Sequence, residues 1–344
     1  MRTISAADAV SPAIQRTRDF LFRPFTWGTY LKLGLVAIIT EGIGSNFHSS
    51  SSHAKPSGNG PMNGLPFNFT PEIIAAIIAA VLVGMVVAIV VFYLVTRLRF
   101  AFFHCLVANT KYIRPGWALY RRQASRFFWM NLGVGFCFLL SVALIAIPFV
   151  TGFWRVFHDT APGGHPDFMQ VLPLVLVLIP IVIFLVLAGF TIDVALRDWM
   201  LPHYALDDAS AGEAWQEVWA SITDEKRQFF VYLILRLILP IIATIAIFIV
   251  LLLPGLMLAG AAAAAIYAVH SSFADATGAT MVAGIAIQAF FGIVAFGFAV
   301  LASICLGGPV STAVREYALI FYGGHYPALG EILDPTPPQP VVEI

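Results

Sequence analysis

Gln288 is the residue best placed for chemistry in an apolar surrounding. Thr280, Gly284, Gly292, Ala295, Ala299 and Ser303 stand at helical spacing from it. A primary amide in hydrocarbon needs a hydrogen-bond partner, and small neighbours let another helix approach closely. The same small side chains also leave room for a solute. The stripe Gln288, Gly284, Gly292 and Ser303 therefore reads as a packing seam or as a pathway.

The charged residues lie nearer the ends of apolar runs. Lys32 and Arg236 are five and seven residues in, within reach of an interface through their long side chains. Asp193 precedes Arg197 by four residues, the spacing of an ion pair on one helix face. Glu41 falls near the far end of its run. Arg99, His104, Arg197, His203 and Arg315 read as interfacial residues. Five histidines, His48, His53, His158, His165 and His270, fall on the opposite side, in loops without the strict spacing of metal ligands. Solvated histidines are expected there, and neither a metal nor another cofactor. Cys105, Cys137 and Cys305 are far apart and read as small buried apolar groups. Asp207 and Asp208 form a turn before a helix at Ser210. No HExxH pair, GxSxG turn or phosphate-binding loop occurs. No catalytic residue is assigned.

The elements that hold these residues follow from composition. The 344-residue chain is 59% hydrophobic and only 11% charged, with mean hydropathy +0.86. Soluble domains carry about 25% charged residues, so this chain's solvent is partly lipid. The net charge of zero argues neither for nor against a nucleic-acid partner, and none is expected. Six segments are apolar over the ~20 residues a span needs. They run about 27–44, 72–95, 128–150, 172–196, 229–269 and 280–306. The first is weakened by Lys32 and Glu41. The fifth is too long for one upright helix, and Pro254-Gly255 is expected to end or kink it. The fold class is thus all-α, a polytopic bundle forming a single membrane domain.

Lysine and arginine distribute unevenly, 17 of 19 on one side, with only Lys55 and Arg155 on the other. The positive-inside rule makes the basic side cytoplasmic. Both termini then lie there, in a bacterial inner membrane.

The chain also repeats. Arg99 and Trp117 are 18 residues apart, as are Arg197 and Trp215, with His104 and His203 between. Phe127-Phe128 and Phe229-Phe230 open the following spans. Val314-Arg315-Glu316-Tyr317 echoes Leu196-Arg197-Asp198-Trp199. Three amphipathic helices precede the span pairs. The first begins at Ser11 with Pro12 at its first position, the second covers 116–126, and the third 211–222, after the capping pair Ser210 and Glu213. This gives three same-facing hairpin units, about 5–99, 115–197 and 210–315, and a tail at 316–344. The 116–126 helix carries Arg122 and Arg126 opposite Trp117, Tyr120 and Ala124, with Arg121 on the flank, a pattern suited to anionic lipid.

Arg197-Asp198-Trp199-Met200-Leu201-Pro202, with Ala214-Trp215 and Phe229-Phe230-Val231-Tyr232, resembles a group of bacterial multi-pass proteins. Leu21-Phe22-Arg23-Pro24-Phe25, Trp27 and Leu31-Lys32-Leu33-Gly34 resemble the same group. That group is similar to the membrane domain found beside some glycerophosphodiester phosphodiesterases. The resemblance implies a multi-pass fold and no mechanism. The phosphodiesterase's catalytic barrel has no counterpart in these residues.

Three functions follow as expectations. One is a non-enzymatic scaffold that senses lipid or assists partners, with the bilayer, a membrane partner or a second copy as its associates. Another is a channel or transporter for a small or apolar substrate. The last is a lipid-acting enzyme using Arg99, His104, Arg197, His203 and Arg315.

Overall fold

A computed structural model describes residues 4–45, 71–158, 168–272 and 279–334. Among these residues the fold is all α-helical, a polytopic helical bundle. Five helices are long and apolar enough to cross a membrane, within 71–107, 121–156, 171–206, 226–253 and 282–323. Helix α2 (Trp27–Ser45), the weak first span, is shorter at 19 residues and is not among them.

The chain divides into two compact units, and the division does not follow the three consecutive units expected from the sequence. The first unit holds residues 1–43, 104–112 and 220–344. It contains α1 (Val10–Phe22), α2, the end of α3 (Pro71–Val107), α9 (Lys226–Ser272), α10 (Ala279–Gly323) and α11 (Pro327–Leu333). Helix α10 is its axis. Tyr232 of α9 stacks on Phe321 and Tyr317 of α10, with ring centres 4.4 and 5.1 Å apart. Helix α2 crosses α10 where two glycines meet. A Cβ on Gly308 would stand 2.6 Å from the Cα of Gly34, so only hydrogen fits. Nearby, the Tyr30 hydroxyl donates to the Cys305 carbonyl at 2.5 Å.

The second unit holds residues 44–103 and 113–219. It contains most of α3, α4 (Ile113–Leu119), α5 (Arg121–His158), α6 (Phe168–Val194), a π-helical stretch at Ala195–Met200, α7 (Leu201–Leu206) and most of α8 (Ala211–Asp224). Helices α5 and α6 form an antiparallel hairpin. Leu174 faces Gly152 near one end and Phe138 faces Gly189 near the other. At the basic end Phe127 sits edge-on to both Phe100 and Tyr204.

Local sequence explains the boundaries. Pro71 opens α3, where its missing N–H costs nothing. Ser210 and Glu213 form the expected capping box of α8: the Ser210 N–H donates to Glu213 Oε2 at 2.8 Å, and the Glu213 N–H to Ser210 Oγ at 3.4 Å. In α1 the start differs from expectation. Ser5 and Asp8 bond to each other and form a turn that leads into Val10, so Pro12 is the third helical residue rather than the first. A proline is tolerated throughout a first turn for the same reason.

Four further expectations are corrected. Pro254 does not end the helix of the fifth span: α9 runs for 47 residues, about 70 Å at 1.5 Å per residue. The 116–126 helix is two pieces, because the chain turns at buried Tyr120 between α4 and α5. Residues 316–333 are not a tail. Residues 314–319 and 321–323 of α10 are buried all round the helix, Tyr317, Phe321 and Tyr322 among them, and Leu329 of α11 is buried too. Finally, Arg99, Arg197 and Arg315 do not terminate helices. Each is buried, and each helical path runs on past it, to Val107, Leu206 and Gly323. Burial concentrates in these overruns, while the apolar windows of the five long helices are almost unburied.

The glycine crossing yields a test. Gly308→Val should lower the unfolding midpoint of the detergent-solubilised protein, by about 1–3 kcal/mol in stability, the usual range for overpacking. Gly292→Val should not, because a Cβ there meets nothing within 4 Å. Equal effects would show that α2 and α10 do not meet as described.

Candidate functional site

The first unit is organised around a carboxylate with no exposure to solvent. Glu316 lies on the buried face of α10, and Arg16 of α1 reaches it, Nε to Oε2 at 3.1 Å. Arg16 also donates through Nη2 to the Leu106 carbonyl at the end of α3 (2.8 Å), and through Nη1 to the Leu333 carbonyl of α11 (3.3 Å). One guanidinium thus joins four helices. A carboxylate buried without such a partner would cost several kcal/mol. Arg315, the next residue on α10, is also buried. Arg16 sits within the apolar stripe of α1, beside buried Ala13, Thr17 and Phe20. That charge in a hydrophobic stripe is the signal that sequence reading passed over.

A second buried pair corrects another expectation. Arg236 does not reach for an interface. It donates to Glu41 at 2.7 Å, with both side chains under 10% exposed. Glu41 on α2 and Arg236 on α9 are therefore at one depth, although the two had been placed toward opposite ends of their spans.

In the second unit Arg197 donates to Asp193 at 2.8 Å, one helical turn back. His203 on α7 is buried. Its Nδ1 lies 2.8 Å from Glu217 Oε2 on α8 and 3.6 Å from Asp207 Oδ2. The three ligand atoms all lie within 4.8 Å of one another, a spacing that fits a metal ion. The loop between the helices is short and held. Arg126 donates to the Asp208 carboxylate at 3.0 Å and to the Asp208 and Ala209 carbonyls. Asp208 takes a left-handed φ of 49°. The Ser210 N–H and hydroxyl hold the Glu213 carboxyl below the usual glutamate range, with Arg126 nearby adding to the effect. Sequence reading treated Asp207 as a turn residue and did not single out Glu217. Glu217 adjoins buried Val218 and follows buried Ala214 by three residues, so it faces α7.

A polar pocket of about 780 Å³ opens at the corner between α1 and α2. Arg23, Lys111, Thr26, Thr29, Thr110 and Asp19 contribute to its wall. Lys111 Nζ donates to the Pro24 carbonyl at 2.7 Å, and Arg23 pairs with Asp19 at 3.1 Å. Beside it Phe22, Phe25 and Trp27 form an exposed aromatic cluster, with the Phe25 and Trp27 rings 5.1 Å apart.

The stripe on α10 is not brought together. Gly284 is buried and Gln288 half-buried, but Gly292 and Ser303 are exposed, and Ser303 donates to its own helix at Ala299. The close crossing with α2 lies at Gly34 and Gly308 instead, where the two glycines meet. His104 is half-buried at the end of α3, and Arg99, on the same helix, is buried. His158 lies against the Trp154 ring, while His48, His53 and His165 fall outside the described residues.

The Arg16–Glu316 pair gives a double-mutant cycle. Arg16→Met should destabilise the protein by on the order of 3 kcal/mol, since it strands a buried charge. Glu316→Gln in that background should recover part of the loss. Simple addition of the two single losses in denaturation midpoints would show the pair to be uncoupled.

Comparison with curated proteins and with solved structures finds no match. Against models of protein families, residues 4–332 match DUF7544, a family of unknown function, and the chain belongs to that family.

Proposed function

We propose that the protein is a non-enzymatic membrane scaffold that gathers anionic lipid and partner proteins at its basic face. On this reading the basic face is cytoplasmic and the membrane is a bacterial inner membrane, as the 17-to-2 division of lysine and arginine favours. Helix α2 would be the sixth span.

One observation carries the proposal: the residues able to do chemistry are used to hold helices together. Arg16 and Glu316, Glu41 and Arg236, and Arg197 and Asp193 are paired, and at least one member of each pair is buried. The groove between α5 and α6, about 560 Å³, is walled by apolar residues such as Phe149, Phe153 and Leu178. The lipid component of the proposal rests on the α1–α2 corner. Aromatic clusters sit at headgroup level, and basic pockets beside them take anionic headgroups. Arg23 and Lys111 line one pocket beside the aromatic cluster, which favours this corner over the 116–126 segment.

The three-unit reading gains support from two helix ends. Asn109 and Asp208 each follow a histidine by five residues, and each takes a left-handed φ of 49°. Related hairpins would share such an ending.

Native mass spectrometry of the protein with mixed phosphatidylglycerol and phosphatidylcholine should show preferential retention of the anionic lipid. Arg23→Gln with Lys111→Gln should reduce that preference several-fold. Vesicles containing the protein should pass small solutes no faster than empty ones. Faster passage, abolished by Gln288→Leu, would replace the scaffold with a channel.

A further inference from the structure

We propose that His203, Asp207 and Glu217 form a binding site for a divalent cation of the zinc class, which ties α8 to the end of α7. The reading is independent of the lipid-binding scaffold. Zinc takes nitrogen and oxygen ligands at about 2.0–2.2 Å, and ligands at that range stand about 3.3 Å apart in a tetrahedron. The observed separations of 2.8 and 3.6 Å from His203 Nδ1 bracket that value, and the whole set lies within 4.8 Å. Small movements of two carboxylate arms would complete three-point coordination, with water in the fourth place.

The charges also balance. Neutral His203 with two carboxylates presents two negative charges, matched by one divalent cation. His203 Nδ1 and Glu217 Oε2 stand 2.8 Å apart, and both would turn to a bound cation. A cation at such a site competes with protons for the same ligand atoms, so its binding strengthens as pH rises.

The site is held in advance of any ligand, which lowers the cost of binding. His203 and Asp207 are one turn apart, with the Asp207 N–H donating to the His203 carbonyl at 3.1 Å. The Ala209 N–H donates to the same carbonyl at 3.3 Å, which closes the helix end over Asp208. Arg126 fastens Asp208, and the Ser210–Glu213 capping box fixes the first turn of α8, one turn before Glu217. His203 closes the inner side, while the two exposed carboxylates leave the outer side open to an entering ion. Nor is this a general feature of the helix ends. Four residues after His104 stands Ala108, which offers no ligand.

The test uses the full-length protein in detergent, stripped with a chelator, reloaded with zinc and desalted. Elemental analysis should find one zinc per chain. Glu217→Gln and Asp207→Asn, both at exposed positions, should each weaken zinc binding at least tenfold, and His203→Ala should abolish it. Zinc below one-fifth of an equivalent in the unaltered protein would overturn the proposal. So would undiminished binding in both carboxamide variants, which would mean that His203 and Glu217 form an ion pair and nothing more.

Discussion

A carboxylate with no access to solvent must have a cation beside it. In this chain Glu316 sets that constraint, and Arg16 meets it from a helix some 300 residues earlier. The remaining guanidinium protons then decide what else can sit nearby. They reach the last carbonyls of α3 and α11, groups that helix ends leave without partners. Helix α1 is thus a bracket placed by its one inward charge, and the aromatic stack of Tyr232, Tyr317 and Phe321 fills the space on α10 alongside it. A wholly apolar contact at this point would hold the helices but would fix their register less sharply, since hydrophobic packing is not directional.

The all-helical fold was legible because runs of twenty apolar residues have few alternatives in a chain with so few charges. Pro71, Ser210 and Glu213 marked their helix starts correctly, since capping depends on nearest neighbours alone. What could not be read is where helices continue. Arg99, Arg197 and Arg315 look like the ends of spans, because an isolated arginine is costly in an apolar run. Their burial depends on partners distant in sequence, and no local pattern announces those. The same holds for Glu41 and Arg236, each sensible as an interfacial charge until the other is found. Pro254 failed as a stop signal because one missing hydrogen bond does not unwind a long apolar helix.

Of the candidate site, His203 was singled out by sequence, but for its place in a repeat. Asp207 lies one helical turn on, and Glu217 joins the pair only through the short turn that brings α8 back against α7. Gln288 had the opposite fate. Its small neighbours are real, but a stripe on one helix needs a matching stripe on another, and Gly34 supplies that match to Gly308 rather than to Gly292. Paired charges and close glycines both serve rigidity, and the exposed aromatic corner near Trp27 stands apart as a surface shaped for contact.

The π-helical stretch at Ala195–Met200 governs where the residues beyond it point. His203 follows Arg197 by six residues, whereas His104 follows Arg99 by five. In a regular α-helix the additional residue would rotate everything beyond it by about 100° and turn His203 away from α8. A wider coil accommodates the residue without that rotation. From the histidine onward the two helix ends then agree, down to the left-handed residue five places later. The wider coil at Ala195–Met200 thus sets the direction in which His203 meets Glu217 of α8.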